Sequence, residues 1–174
     1  MSATNILIDY TNKNEFYSEL RKELSYNLDQ HWITNLSQFS AVVYQHLPDI
    51  NWAGFYLTHD EELVLGPFQG KPACMRIAFG RGVCGAAAIQ KEIIKVDDVE
   101  KFPDHIACDS RSRSELVIPL IKNEKVIGVF DIDSPTLARF SQEDVNGMFT
   151  LVEDLLAHCQ QQALNCGEIK LSQS

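Results

Sequence analysis

No apolar run in this sequence approaches the ~18 residues that a membrane span needs. Met1 to Asp9 has neither the basic start nor the apolar stretch of a secretory leader. The expectation is therefore a cytoplasmic protein with no membrane partner. Basic blocks are missing as well: 15 Lys and Arg are scattered among 24 Asp and Glu, for a net charge of −9. The counterion release that drives nucleic-acid binding has no source here. Cysteine is scarce and odd in number, five in 174 residues, in a chain large enough to bury a core without staples. A permanent disulfide framework is not expected, which leaves thiol chemistry or metal binding as the question. The close C-x₂₋₄-C pairs of zinc modules are absent. This argues against a structural zinc on Cys74, Cys84, Cys108 and His105, and no metal is expected. Internal repeats and low-complexity segments are absent too.

The length suits one domain, with expected limits at 13–162 between an N-terminal tail (1–12) and a C-terminal tail (163–174). Phe16, Leu20, Leu24 and Leu28 recur every fourth residue. Trp32, Leu36, Phe39, Val43 and Leu47 follow the 3.6-residue period, so residues 13–47 read as two helices with apolar stripes. From Ile50 the period shortens. Asn51 to Leu57 and Leu63 to Phe68 read as strands joined by a polar turn, and Cys74 to Phe79 as a third. In the first strand Trp52, Gly54 and Tyr56 share a face. A core aromatic pair is the first reading for Trp52 and Tyr56, and a ligand wall the second.

Gly80 to Ala88, G-R-G-V-C-G-A-A-A, matches no phosphate-loop spacing. It reads as a tight turn entering a short helix. There Cys84 sits at the N-terminus, either as a thiolate favoured by the helix dipole or as a small buried residue. Ile93 to Val96 is a short strand. The polar connection 97–113 holds Cys108, with His105 before it and Arg111 and Arg113 after it. A core role is less expected for Cys108 than for the other cysteines.

Leu116–Ile121 and Val126–Ile132 form the clearest hairpin. On its second strand Asp131 and Asp133 end a stripe that begins with Ile127 and Val129. Two carboxylates on a strand demand a partner or a shared proton. With Lys122 opposite Lys125, simple register puts Glu115 opposite Ile132, on the wrong face to meet them. Pro119 suggests a bulge between Glu115 and Ile121 that corrects this. Ser141 caps a last helix whose stripe is Val145, Met148, Val152, Leu155 and Cys159. Cys159 is expected to pack, and Cys166 to be an incidental free thiol.

This order of elements gives an α+β fold. It is a single domain with an antiparallel sheet of about six strands and the terminal helices packed on one face, and it resembles the GAF domain. More narrowly, G-P-F-Q-G-K-P-A-C ending at Cys74, G-R-G-V-C-G around Cys84, H-I-A-C-D around Cys108, R-S-E at Glu115 and D-I-D at Asp131 to Asp133 resemble the free methionine-(R)-sulfoxide reductases. The likeness runs from Trp32 to the last helix. It implies an oxidoreductase in which Cys108 attacks the sulfoxide sulfur and becomes a sulfenic acid. Cys74 then resolves it to a disulfide, with Cys84 as the alternative partner or a relay. Glu115 and Asp133 would polarise the sulfoxide oxygen, Asp131 would hold the amino group, and Trp52 and Tyr56 would enclose the S-methyl end. The resemblance further implies free methionine sulfoxide as substrate, no bound cofactor, reducing equivalents from thioredoxin and ultimately NADPH, and a homodimer. Arg81 and Asp104 stand where that family commonly has Lys and Gly, and neither is expected to touch the chemistry. A carboxylate at Asp104 is expected to raise the Cys108 thiol pKa. A GAF domain can also be a non-catalytic sensor of a small ligand in the same pocket, and turnover separates the two readings.

Overall fold

The computed structural model describes residues 9–104 and 109–161. Two helices open the chain, α1 (Lys13–Tyr26) and α2 (Trp32–His46). Asn12 caps α1 by accepting from the Glu15 N–H at 3.3 Å. The predicted stripes are the buried ones: Phe16, Leu20 and Leu24 on α1, and Leu36, Phe39 and Val43 on α2.

Six strands follow, interrupted by a third helix. They are β1 (Trp52–His59), β2 (Glu62–Gly70), β3 (Arg76–Ala78), then α3 (Gly82–Gln90), then β4 (Ile94–Val96), β5 (Ser114–Lys122) and β6 (Lys125–Ser134). The sheet order is β3-β2-β1-β6-β5-β4, and every neighbouring pair is antiparallel. The third strand is shorter than the sequence suggested, and Cys74 lies in the loop before it. The hairpin register is as expected at its turn, with Lys122 opposite Lys125. Asn123 and Glu124 both take positive φ, 51° and 63°, as a two-residue type I′ turn requires.

The register shifts between Leu120 and Ile121, inside the predicted interval, and this sets Glu115 opposite Asp133. Pro119 is tolerated because β4 pairs with β5 only as far as Val117. Beyond that point β5 has an edge on which a missing N–H costs nothing.

The last helix, α4 (Gln142–Gln161), opens on a reciprocal cap. The Ser141 N–H donates to Asp144 Oδ2 at 2.8 Å, and the Asp144 N–H donates to Ser141 Oγ at 3.4 Å. Asp144 also accepts from the hydroxyls of Tyr10 and Tyr17 and from Lys13 Nζ, so the acid that starts α4 also ties α1 to it.

α1, α2 and α4 cover one face of the sheet. Phe39, Phe55 and Phe130 meet there with ring centroids 4.7–5.5 Å apart. α3 lies on the other face with a smaller cluster around Trp52, Tyr56, Leu63, Val83 and Val117. Cys159 is fully buried in the helical layer, as expected of a packing residue, but it is also disulfide-bonded. Helical spacing reports which side a thiol faces and carries no information about pairing.

Candidate active site

The second face of the sheet holds the reactive groups. Glu115 pairs with Asp133 across β5 and β6, and Val117 pairs with Asp131, so all three acids project to that side. β1 pairs with β6 on its other edge, setting Trp52 opposite Asp133 and Gly54 opposite Asp131. Trp52 stacks on Tyr56 at 5.9 Å and on Phe68 of β2 at 5.4 Å. Its indole N–H donates to the Lys71 carbonyl at 3.2 Å. Gly54 permits this stack, because a Cβ there would collide with Phe68 and lie 2.7 Å from the Trp52 ring. Trp52 and Tyr56 thus satisfy both readings of the sequence: they are buried, and they wall a cavity.

α3 closes the opposite side. Gly85 lets it lie directly on β3, since a Cβ would strike the Ala78 carbonyl oxygen. Cys84 is thereby driven into the cavity, with Sγ 3.9 Å from Glu115 Oε1. Donor atoms of Cys84, Glu115 and Asp131 all lie within 4.8 Å of one another, and all three residues are buried. They are the described residues close enough together to hold a metal ion. Cys74, a candidate in the zinc reading, is instead disulfide-bonded.

Electrostatics in this cluster favour neutral acids. Burial, followed by the charges of Asp131 and Asp133, pushes the Glu115 carboxyl well up. Burial raises Asp131 to about 7, and burial followed by Asp131 and then Asp109 raises Asp133. Asp131 Oδ1 is buried without a hydrogen-bond partner. The Cys84 thiol is raised as well, by burial and then by Asp131 and Glu115. Here desolvation and two nearby acids outweigh the helix dipole that suggested a thiolate. The arrangement supplies carboxyls of raised pKa in a buried pocket, the property required of a group that donates a proton near neutral pH.

Loops complete the wall. Lys71, Pro72, Ala73, Asp109 and Ser112 line the cavity, and so does Arg81, which had been expected to stand away from the chemistry. Asn51 Nδ2 donates to Ser112 Oγ at 3.1 Å and to Asp109 Oδ2 at 3.3 Å. Asp109 also receives Arg111 Nη2 at 3.0 Å and lies 3.6 Å from Lys71 Nζ. Hydrogen bonds from the Arg111 side chain and backbone hold its carboxyl below the usual range. Asp109, Ser112 and Asn51 were not singled out in the sequence. An Asp two residues before an Arg in a polar loop signals a local turn, and nothing local tells which cavity it borders. The cavity is about 30 Å³, room for roughly two waters.

The two thiols weighed as resolving partners differ. Cys74 is disulfide-bonded, whereas Cys84 is a free buried thiol. Cys108 and His105 lie outside the described residues, as does Cys166. Asp104 has φ +54°, the left-handed region that glycine enters without strain. That accounts for a glycine being common at this point in the family the motifs resemble.

The GAF domain family matches residues 32–158. A protein of Escherichia coli, "Free methionine-R-sulfoxide reductase", is 48% identical over 146 residues, 83% of this chain and 88% of that one. This chain belongs to the free methionine-R-sulfoxide reductase family. A Saccharomyces cerevisiae protein of the same name is 51% identical over 121 residues, 65% of this chain and 67% of that one. Among solved structures, the free methionine-R-sulfoxide reductase of Neisseria meningitidis in complex with its substrate superposes with a TM-score of 0.79. It is 38% identical and covers 94% of this chain and 97% of that chain. Membership accounts for the α+β architecture, and no described helix is long and apolar enough to cross a membrane.

Proposed function

We propose that this chain reduces free L-methionine-(R)-sulfoxide to L-methionine at the cavity between α3 and strands β1, β5 and β6. One observation carries the reading. Three carboxyls whose pKa burial raises converge beside an aromatic wall, in a chain 48% identical to a reductase of that name. A sulfoxide oxygen leaves sulfur only when protonated, and Glu115 with Asp133 supplies that proton while Asp131 receives the substrate ammonium. Trp52 and Tyr56 enclose the S-methyl group.

The Cys108 thiolate attacks the sulfoxide sulfur. The S–O bond breaks, methionine leaves with both electrons on its sulfur, and Cys108 becomes a sulfenic acid. The Cys74 thiol attacks that sulfur, a disulfide forms and water departs. A thioredoxin dithiol then returns two electrons and two protons, and is itself oxidised. The disulfide already present at Cys74 supports it over Cys84 as resolving thiol, as does the raised, buried thiol of Cys84. The reading includes no bound cofactor, NADPH as the ultimate source of electrons, a homodimer and a cytoplasmic setting that keeps thioredoxin reduced.

The test is methionine release from the separate R and S epimers, with dithiothreitol or a thioredoxin system as reductant. Turnover of the R epimer alone is expected. No turnover of either by reduced, metal-free protein would sink the reductase reading and leave a ligand sensor.

A further inference from the structure

Three side chains from three separate elements converge in the cavity. Cys84 comes from the first turn of α3, Glu115 from β5 and Asp131 from β6. One donor atom of each lies within 4.8 Å of the other two, and Cys84 Sγ is 3.9 Å from Glu115 Oε1. A tetrahedral zinc ion, with bonds of about 2.3 Å to sulfur and about 2.0 Å to oxygen, holds two such donors roughly 3.5 Å apart. That pair needs to close only slightly around an ion. The donors also stand on braced elements: β5 and β6 pair along their length, and Gly85 presses α3 onto the Ala78 carbonyl oxygen.

Proximity alone does not make a metal site, but this cluster carries a second mark. Asp131 is 6% exposed and lines the cavity, and its Oδ1 has no hydrogen-bond partner among the described residues. A buried carboxylate oxygen without a donor is costly, and a cation in the cavity satisfies it. The donor set then selects the cation. Magnesium and calcium take oxygen ligands, about six or more of them. One thiol with two carboxylates suits zinc, with water as the fourth ligand. The cavity of about 30 Å³ admits that ion with a water but without its full hydration shell. On binding, each ligand gives up its proton to water. One net negative charge remains, and Arg81 lines the same cavity.

We propose that Cys84, Glu115 and Asp131 form a binding site for a divalent zinc ion. It shares only Cys84 with the set weighed from the sequence, and its ligands, spread over three elements, leave no short spacing to read. The site stands on its own geometry. Its consequence rests on the function proposed above: an ion held by Glu115 and Asp131 occupies the groups that meet the sulfoxide oxygen and the ammonium, so zinc is an inhibitor and not a cofactor.

The test titrates the metal-free full chain with Co²⁺ and then Zn²⁺. One equivalent of Co²⁺ should bind with a thiolate-to-cobalt charge-transfer band, and Zn²⁺ should displace it. Cys84→Ser, with wild-type circular dichroism, should lose the band. Asp131→Asn should weaken Zn²⁺ binding at least about tenfold. X-ray absorption of the zinc-loaded wild type needs no variant, and should show one sulfur at about 2.3 Å with two or three oxygens at about 2.0 Å. Absence of binding, a band that survives in Cys84→Ser, or a zinc shell with no sulfur or with two would overturn the inference. Inhibition is read separately, as methionine formed in a single turnover by the reduced chain without added thiol. Binding as described that leaves this turnover intact upholds the site and sinks the roles proposed for the two acids.

Discussion

Strands β5 and β6 face two different interiors. On the helical side Leu116, Ile118, Phe130 and Ile132 are fully buried against α2 and α4, with every group apolar. One residue along in each case, Glu115, Asp131 and Asp133 face α3. The backbone and hydrogen-bonded ladder are the same, and only the parity of side chains differs. The apolar side stabilises the fold, because each buried hydrocarbon group leaves water at a gain. The acidic side costs stability, because each carboxyl loses water and gains few partners. A sheet clamped on one face by three helices can therefore hold protonated acids in place on the other.

The two faces should separate cleanly in mutants. Cys108→Ser is expected to lower methionine formation about 10³-fold or more with unfolding unchanged; retained turnover would remove Cys108 as the nucleophile. On the apolar face, Phe130→Ala should cost about 3–5 kcal/mol in urea unfolding. Its effect on the rate per folded molecule should be far smaller than that of an acid-face variant. Glu115→Gln is its counterpart. We expect kcat to fall about 10²-fold with stability at pH 8 unchanged or raised, and a loss of stability like that of Phe130→Ala would erase the contrast between faces.

The smallest effect is one of pH. The Asp131 carboxyl titrates at about 7 in the folded chain against an ordinary 3.8. The folded state therefore holds a proton that the unfolded chain has released. The stability from this group is full below about 3.8 and is lost as pH rises through about 7. Unfolding free energy should decline between these limits in the wild type and less steeply in Asp131→Asn. Identical slopes would place the titration elsewhere in the cluster.

Much of this was legible in the sequence because it depends on period and parity. The two N-terminal stripes, the face shared by Trp52 and Tyr56, and the alternation that sets Asp131 apart from Ile132 all follow from side-chain geometry within one element. The bulge that brings Glu115 opposite Asp133 was inferable because Pro119 disturbs the ladder. The second register shift, between Gly54 and Tyr56, carried no such mark. Arg81, Asp109 and Ser112 reach the cavity, and Asn51 holds the last two, through loop paths and a helix start whose directions depend on distant packing. The same is true of Cys84: its place at a helix N-terminus was readable, but the two acids that oppose its ionisation come from β5 and β6.

Those acids share a further property. Glu115, Asp131 and Asp133 all belong to one hairpin closed by a two-residue turn, so fewer than about twenty residues separate the first from the last. An isolated hairpin can close in roughly microseconds, whereas β1, which pairs Trp52 with Asp133 and Leu57 with Gly128, must come from far back in the sequence to cover its edge. During refolding the carboxyls are therefore brought together before the walls that keep them neutral exist. Near neutral pH they meet as anions, and their mutual repulsion slows the step that the turn itself favours. Refolding from mild acid, where they arrive already protonated, should be the faster route to the native chain.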